Sequence, residues 1–160
     1  MSRAFIKEDA NQDDVQVAPR APLPDGARNL VTQRGLDLLL AEREEIRAGL
    51  AAGGAAASDE RLRLAYEAAL DELVPRLASA ELSVAADDLR VQFGHEVELA
   101  SLDGKGSAVT VRIVGVDEAD PDQGAISYLA PLSQALLGLK PGDEVSLGPS
   151  GRRMTIARIG

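Results

Sequence analysis

The chain contains no cysteine, no tryptophan and one histidine, His95, among its 160 residues. Without thiols there are no disulfides, no thiol nucleophile and no zinc finger, and any Ser-His-Asp arrangement would have to be built on His95 alone. Aromatic residues are scarce too, two Phe and two Tyr. The core must therefore be aliphatic, and stacking platforms for nucleic-acid bases are not expected. Positive charge is in deficit: 17 Lys and Arg stand against 26 Asp and Glu, a net charge of -9. A surface of that sign repels a phosphate backbone, so stable direct nucleic-acid binding is not expected. No apolar run approaches the roughly 20 residues of a membrane helix, and MSRAFIKEDANQDD lacks the apolar stretch of a signal peptide. The expectation is a soluble, reduced, cytoplasmic protein with no membrane partner.

What is present falls into three zones. Residues 1–29 are rich in Asp, Gln, Pro and Ala, with Pro19, Pro22 and Pro24 spaced so that neither helix nor central strand propagates through them. This zone reads as a disordered tail, with Phe5-Ile6 as its bulkiest apolar material. Residues 30–85 turn to Leu, Ala, Glu and Arg, strong helix formers with apolar positions at helical spacing. Thr32 is the expected N-cap of a first helix striped by Leu36, Leu39, Leu40, Ile46 and Leu50. Gly53-Gly54 marks a reversal. Ser58 then caps a second helix whose first-turn acids Asp59 and Glu60 suit the macrodipole, and Leu62, Ala69, Leu73 and Leu77 let the pair close as an antiparallel hairpin. Pro75 predicts a kink or break in the second helix.

In residues 86–160 the period shortens to two. Strands are expected at 91–93, 96–99, 108–114, 125–129, 144–147 and 154–159, punctuated by Gly and Pro turns. Pro131 and Gly138 bracket one short helix in the Pro-start, Gly-stop pattern. The fold class is thus α+β: an N-terminal helical hairpin followed by an antiparallel β-sheet domain with one short helix. Local chemistry is thin. Asp117, Glu118, Asp120 and Asp122 lack the Gly and terminal Glu of a calcium loop and read as a solvated strand connection. Gly104-Lys105-Gly106 lacks phosphate-loop spacing and reads as a hairpin turn. His95 reads as a satisfied polar residue in a strand corner, and no metal site of the chain's own is expected.

The run from Arg112 to Val145, RIVGVDEADPDQGAISYLAPLSQALLGLKPGDEV, resembles the carboxy-terminal domain of the GreA/GreB transcription elongation factor family. The matches are Arg112-Ile113-Val114-Gly115, Asp117-Glu118-Ala119-Asp120, Ile126-Ser127, Pro131, Ala135-Leu136-Leu137-Gly138 and Gly142-Asp143. Val91-Gln92-Phe93-Gly94 resembles the family's opening strand, Val31-Thr32-Gln33-Arg34-Gly35-Leu36 the start of its coiled coil, and MSRAFIKED the leader of some GreB-like members. The resemblance implies a coiled coil that enters the secondary channel of bacterial RNA polymerase and an FKBP-like domain that docks at the channel rim. It also implies a factor that is a cofactor of another enzyme rather than an enzyme itself. Full-length members carry tip acids that help the polymerase hold a second magnesium and hydrolyse backtracked RNA. The chain would need no cofactor of its own, sharing that magnesium in the polymerase active site.

Three departures bear on that activity. The hairpin between Thr32 and Val84 is shorter than the family's usual coiled coil, and a shortfall of about seven residues per arm withdraws the tip by about 11 Å. The family's acidic tip motif is missing from AAGGAAASDERL, where Asp59 and Glu60 are the nearest substitutes. The text SYLAPLSQALLGLKPGDEV is closer to Rnk, the regulator of nucleoside diphosphate kinase, a relative with a short coiled coil that occupies polymerase without promoting cleavage. The expected function is therefore a monomeric elongation regulator that competes with cleavage factors and cleaves poorly or not at all. A cleavage factor that rescues backtracked polymerase is the alternative, and a general protein interaction module a second. A prolyl isomerase is disfavoured, because Phe93 and Tyr128 alone cannot line an aromatic pocket. The expected polymerase-binding residues are Tyr128, Leu129, Ala130, Pro131 and Leu132, where apolar side chains flank a helix start.

Overall fold

The computed structural model describes residues 19–51, 59–87, 89–104, 106–148 and 151–160. Its elements are β1 (Asn29–Val31), α1 (Gln33–Ala51), α2 (Glu60–Ala78), β2 (Ala80–Leu82), β3 (Glu96–Ser101), β4 (Val109–Val114), β5 (Ala125–Ser127), α3 (Pro131–Leu136), β6 (Glu144–Leu147) and β7 (Arg152–Ile159). Together they form an α+β fold.

Thr32 caps α1, its hydroxyl oxygen accepting the Gly35 N–H at 2.9 Å and satisfying one of the helix's orphan donors. The apolar stripes meet as expected: Leu39 and Ile46 of α1 are buried against Ala69 and Leu73 of α2, with Leu36, Leu50, Tyr66, Leu70 and Leu77 around them. Gly49 in the last turns of α1 lies against the Tyr66 ring near the start of α2, where an added Cβ would stand 2.7 Å from a ring carbon. The helices therefore run antiparallel, with their free ends together. Gly53-Gly54 and Ser58 lie outside the described residues. The second helix is capped by Asp59 instead of Ser58. It also runs unbroken through Pro75 to Ala78. Pro75 forfeits one hydrogen bond, but Leu73 and Arg76 on either side of it are buried, and that packing keeps the chain helical.

Two features at the foot of the hairpin differ from expectation. First, β1 and β2 pair in parallel, Leu30 opposite Glu81. Parallel neighbours need a long crossover, and the helical hairpin is that crossover. Second, the expected tail boundary at Asn29 does not hold. Asn29 is buried, its Nδ2 donating to the Arg76 carbonyl at 2.8 Å, and residues 19–28 run along the hairpin. The prolines there exclude helix and ladder, but an extended segment can still lay polar groups against a surface. Residues 1–18, including Phe5-Ile6, lie outside the described residues.

The second unit is a five-stranded sheet in the order β5-β4-β3-β7-β6. It is mixed, not purely antiparallel, because β5 lies parallel to β4, Ile113 opposite Ile126. The connection from Gly115 to Gly124 includes a 3-10 turn over Pro121–Gln123, and it carries the chain back so that β5 restarts in the direction of β4. Residues 91–93 form no strand. Val91 instead exchanges backbone bonds with the loop after α3, its N–H donating to Leu139 at 2.7 Å and its carbonyl accepting from Gly138 at 2.8 Å. The core is aliphatic, built on Val97, Leu99, Ile113, Leu136, Met154 and Ile156. Tyr128 lies edge-on to Phe93 at its margin, centroids 5.7 Å apart. His95 is buried and its Nδ1 accepts the Gln92 N–H at 3.0 Å, the satisfied corner residue anticipated.

At Gly115 the backbones of the two units approach closely. A Cβ there would stand 2.5 Å from the Leu30 carbonyl oxygen, and backbone cannot yield as a side chain can. Gly115→Ala is expected to cost about 1–3 kcal/mol as β1 is forced off the sheet domain. Urea unfolding of the full chain would check it, and an unchanged midpoint would show that β1 has room to move.

Candidate functional site

The two regions singled out in the sequence lie at opposite ends of the hairpin. Asp59 and Glu60 begin α2, whose 19 residues span about 28 Å. At the other end, Tyr128 donates its hydroxyl hydrogen to the carbonyl of Arg28, just ahead of β1. The structure does not bring the two regions together.

At the tip both acids have local partners. The Asp59 carboxylate accepts the Arg61 N–H at 3.0 Å and, more weakly, the Leu62 N–H at 3.5 Å, which is the N-cap role. Glu60 accepts from Arg63 Nε at 3.1 Å. The hydrogen bond and charge of Arg63 hold the Glu60 carboxyl below its ordinary range. Arg63 reaches Glu67 as well. A divalent cation needs several oxygen ligands converging on one point. Asp59 and Glu60 are partnered by helix amides and a guanidinium. Among the described residues no cluster of three or more His, Asp or Glu side chains is arranged to hold a metal ion.

In the segment from Tyr128 to Leu132 the apolar groups are less free than the sequence implies. Tyr128 and Leu132 pack partly buried against the sheet core, and burial is the main reason the Tyr128 phenol is raised above its ordinary range. Leu129 and Ala130 are half-buried and Pro131 is exposed. Pro131 opens α3, and Gly138, at φ 84°, follows its end, the left-handed geometry that glycine adopts freely. This turn thus presents a small apolar knuckle carried on the core.

Between these ends lies an arrangement the sequence reading missed. Asp117 and Glu118, expected to be solvated, are the joint between hairpin and sheet domain. Asp117 accepts from Arg20 Nη1 at 2.6 Å and from Arg76 Nη1 at 3.0 Å, and the three side chains are 4 to 8% exposed. Arg20 Nη2 donates to Glu42 of α1 at 2.6 Å, and the Arg20 N–H donates to Glu72 of α2 at 3.1 Å. Arg76 also donates to the Ala21 carbonyl. Glu118 accepts the Thr32 hydroxyl and lies over Gly35, where a Cβ would come within 2.9 Å of its Oε2. Burial works against the charge on Arg20, but the hydrogen bonds and charges of Asp117 and Glu42 outweigh it and hold the guanidinium above its ordinary range. The Glu42 carboxyl is raised chiefly by burial, with Arg20 opposing. One signal for this joint was available: Arg76 falls seven residues after Ala69 on the buried stripe of α2, where a charge requires a partner.

Comparison with known proteins bears on the sheet domain. A family model described as the C-terminal domain of the transcription elongation factors GreA/GreB matches residues 86–159. The chain is 49% identical over 71 residues to GreA of Desulfovibrio desulfuricans, covering 44% of this chain and 43% of that protein. It is 47% identical over 73 residues to GreB of Neisseria meningitidis, covering 45% and 42%. The sheet domain is thus of the kind found at the C-terminus of the GreA/GreB transcription elongation factors. The matched region spans about half the length of the curated relatives, 42 to 43% in these two. Among solved structures, GreA factor homolog 1 of Thermus thermophilus is 27% identical, with 84% of this chain and 99% of that one covered at a TM-score of 0.41. The GreA/GreB factor of Nitrosomonas europaea is 22% identical, with coverage of 81% and 97% and a TM-score of 0.42.

Proposed function

We propose that the chain is a cytoplasmic RNA polymerase-binding regulator of transcription elongation. It acts through the secondary channel as a short plug that excludes longer cleavage factors and stimulates transcript cleavage poorly or not at all. The observation that carries this reading is the engagement of the tip acids. Asp59 caps α2 through one carboxylate oxygen and Glu60 pairs with Arg63 at the surface, so each acid would exchange a local partner before binding an ion held by another protein. Arms of 19 residues each, about 28 Å long, agree with a plug of limited reach. The sheet domain, with its knuckle around Pro131, is the part that docks at the channel rim, and the hairpin is the part that enters.

The cleavage-factor reading keeps one observation in its favour: Asp59 and Glu60 stand in the first turn of α2 near the hairpin's free end, and Glu60 is exposed. The two readings part in one experiment. The chain is added to backtracked elongation complexes alone and in competition with a cleavage-competent GreA. Dose-dependent inhibition of GreA, with little cleavage by the chain alone, is expected. Rapid cleavage by the chain alone, abolished by Asp59→Ala with Glu60→Ala, would overturn the plug in favour of the cleavage factor. Failure to bind core polymerase at all would remove both and leave an interaction module for another protein.

A further inference from the structure

A hairpin on a separate sheet domain has two kinds of attachment, those near the pivot and those that brace it from a distance. Thr32 to Glu118, Leu30 against Gly115 and Tyr128 to Arg28 all lie at the foot of α1, around β1. Contacts clustered at a pivot hold two bodies together but resist tilting weakly. Glu42 lies ten residues beyond Thr32, about 15 Å along the helix, and Arg20 ties it to Asp117 of the sheet domain with 2.6 Å bonds on both sides. The Arg20 backbone N–H ties in α2 through Glu72 at 3.1 Å.

We propose that Arg20 is a positioning residue that sets the angle of the helical hairpin on the sheet domain, and so the direction in which the tip points. Arg20, Arg76, Asp117 and Glu42 carry two positive and two negative charges, so the brace is electrically closed within the molecule. Its Arg20 and Asp117 side chains are 4% and 7% exposed, which keeps screening water and salt from loosening it. Guanidinium geometry matters here, because one planar fork serves two carboxylates on different elements at once, which a lysine ammonium on a single flexible stem does less well. The orientation belongs to the free chain and is independent of what the hairpin enters.

The absence of native cysteine makes the test direct. Spin labels on Ala48→Cys, exposed in α1, and Ser146→Cys, exposed in β6, report the hairpin-to-domain distance in the full-length chain by pulsed electron spin resonance. Ala48 is about 24 Å along α1 from Thr32, so a tilt of 10° moves its label by about 4 Å. The labelled parent is expected to give one narrow distribution. Arg20→Ala is expected to shift or widen it by about 4 Å or more, and Glu42→Gln to do the same while leaving Arg20 on Asp117. Breaking the exposed Arg28–Glu81 pair with Glu81→Gln should leave it narrow. If Arg20 only added stability, Arg20→Ala would lower the melting temperature with the distribution unchanged, and that result overturns the proposal. Should Arg20→Ala lose its circular dichroism, Arg20→Lys decides the matter: widening supports the brace and an unchanged distribution refutes it.

Discussion

Asp117→Ala is expected to destabilise the protein by about 3–5 kcal/mol, the scale on which one partner of a buried ion pair is missed. The carboxylate lies between Arg20 and Arg76 at 2.6 and 3.0 Å, its side chain 7% exposed. Removing it leaves two buried guanidiniums that, among the described residues, have Glu42 as counter-ion to Arg20 and the Ala21 carbonyl as acceptor for Arg76. The cost is the desolvation of a cation that is no longer compensated, which exceeds the net worth of either pair. Asp117→Asn keeps an acceptor while removing the charge and should fall between the parent and Ala. Equilibrium urea unfolding of the full chain measures it. A loss below about 1 kcal/mol, the range of an exposed pair, would mean that water reaches the joint.

Leu73→Ala is expected to cost about 2–5 kcal/mol by transfer plus cavity. Leu73 is fully buried, at 0% exposure, in the cluster that joins Leu39 and Ile46 of α1 to Val31 of β1. Because Pro75, two residues on, has already removed a helical bond, the last turn of α2 depends on this packing more than an ordinary helix end would. The loss should therefore appear as lower helicity as well as an earlier unfolding midpoint. The neighbouring Val74 is 49% exposed, and its truncation should stay within about 0.5 kcal/mol. Equal losses at both positions would show that the assigned face of α2 is wrong.

Elements that rest on local periodicity and turn chemistry were legible in the residues themselves. The apolar spacing of α1 and α2, the Thr32 cap, the Pro131 start and Gly138 stop of α3, and β3, β4, β6 and β7 are all properties of neighbouring residues, and they stand where the pattern puts them. The motif run from Arg112 to Val145 was enough to suggest the family whose C-terminal domain matches residues 86–159. Val91 and Phe93 were expected in a strand and are buried without one, because a segment can be buried by pairing with a loop just as well as with a strand. How the two units are joined was visible in the folded chain alone. Asp117 and Glu118 in a stretch of acids, and Arg20 among prolines, look solvated because a charge carries no periodicity and its partner lies far along the chain: 97 residues separate Arg20 from Asp117. The parallel pairing of β1 with β2 and of β4 with β5 was hidden for the same reason, since strand direction is set by where the intervening chain packs and not by the strand's own residues.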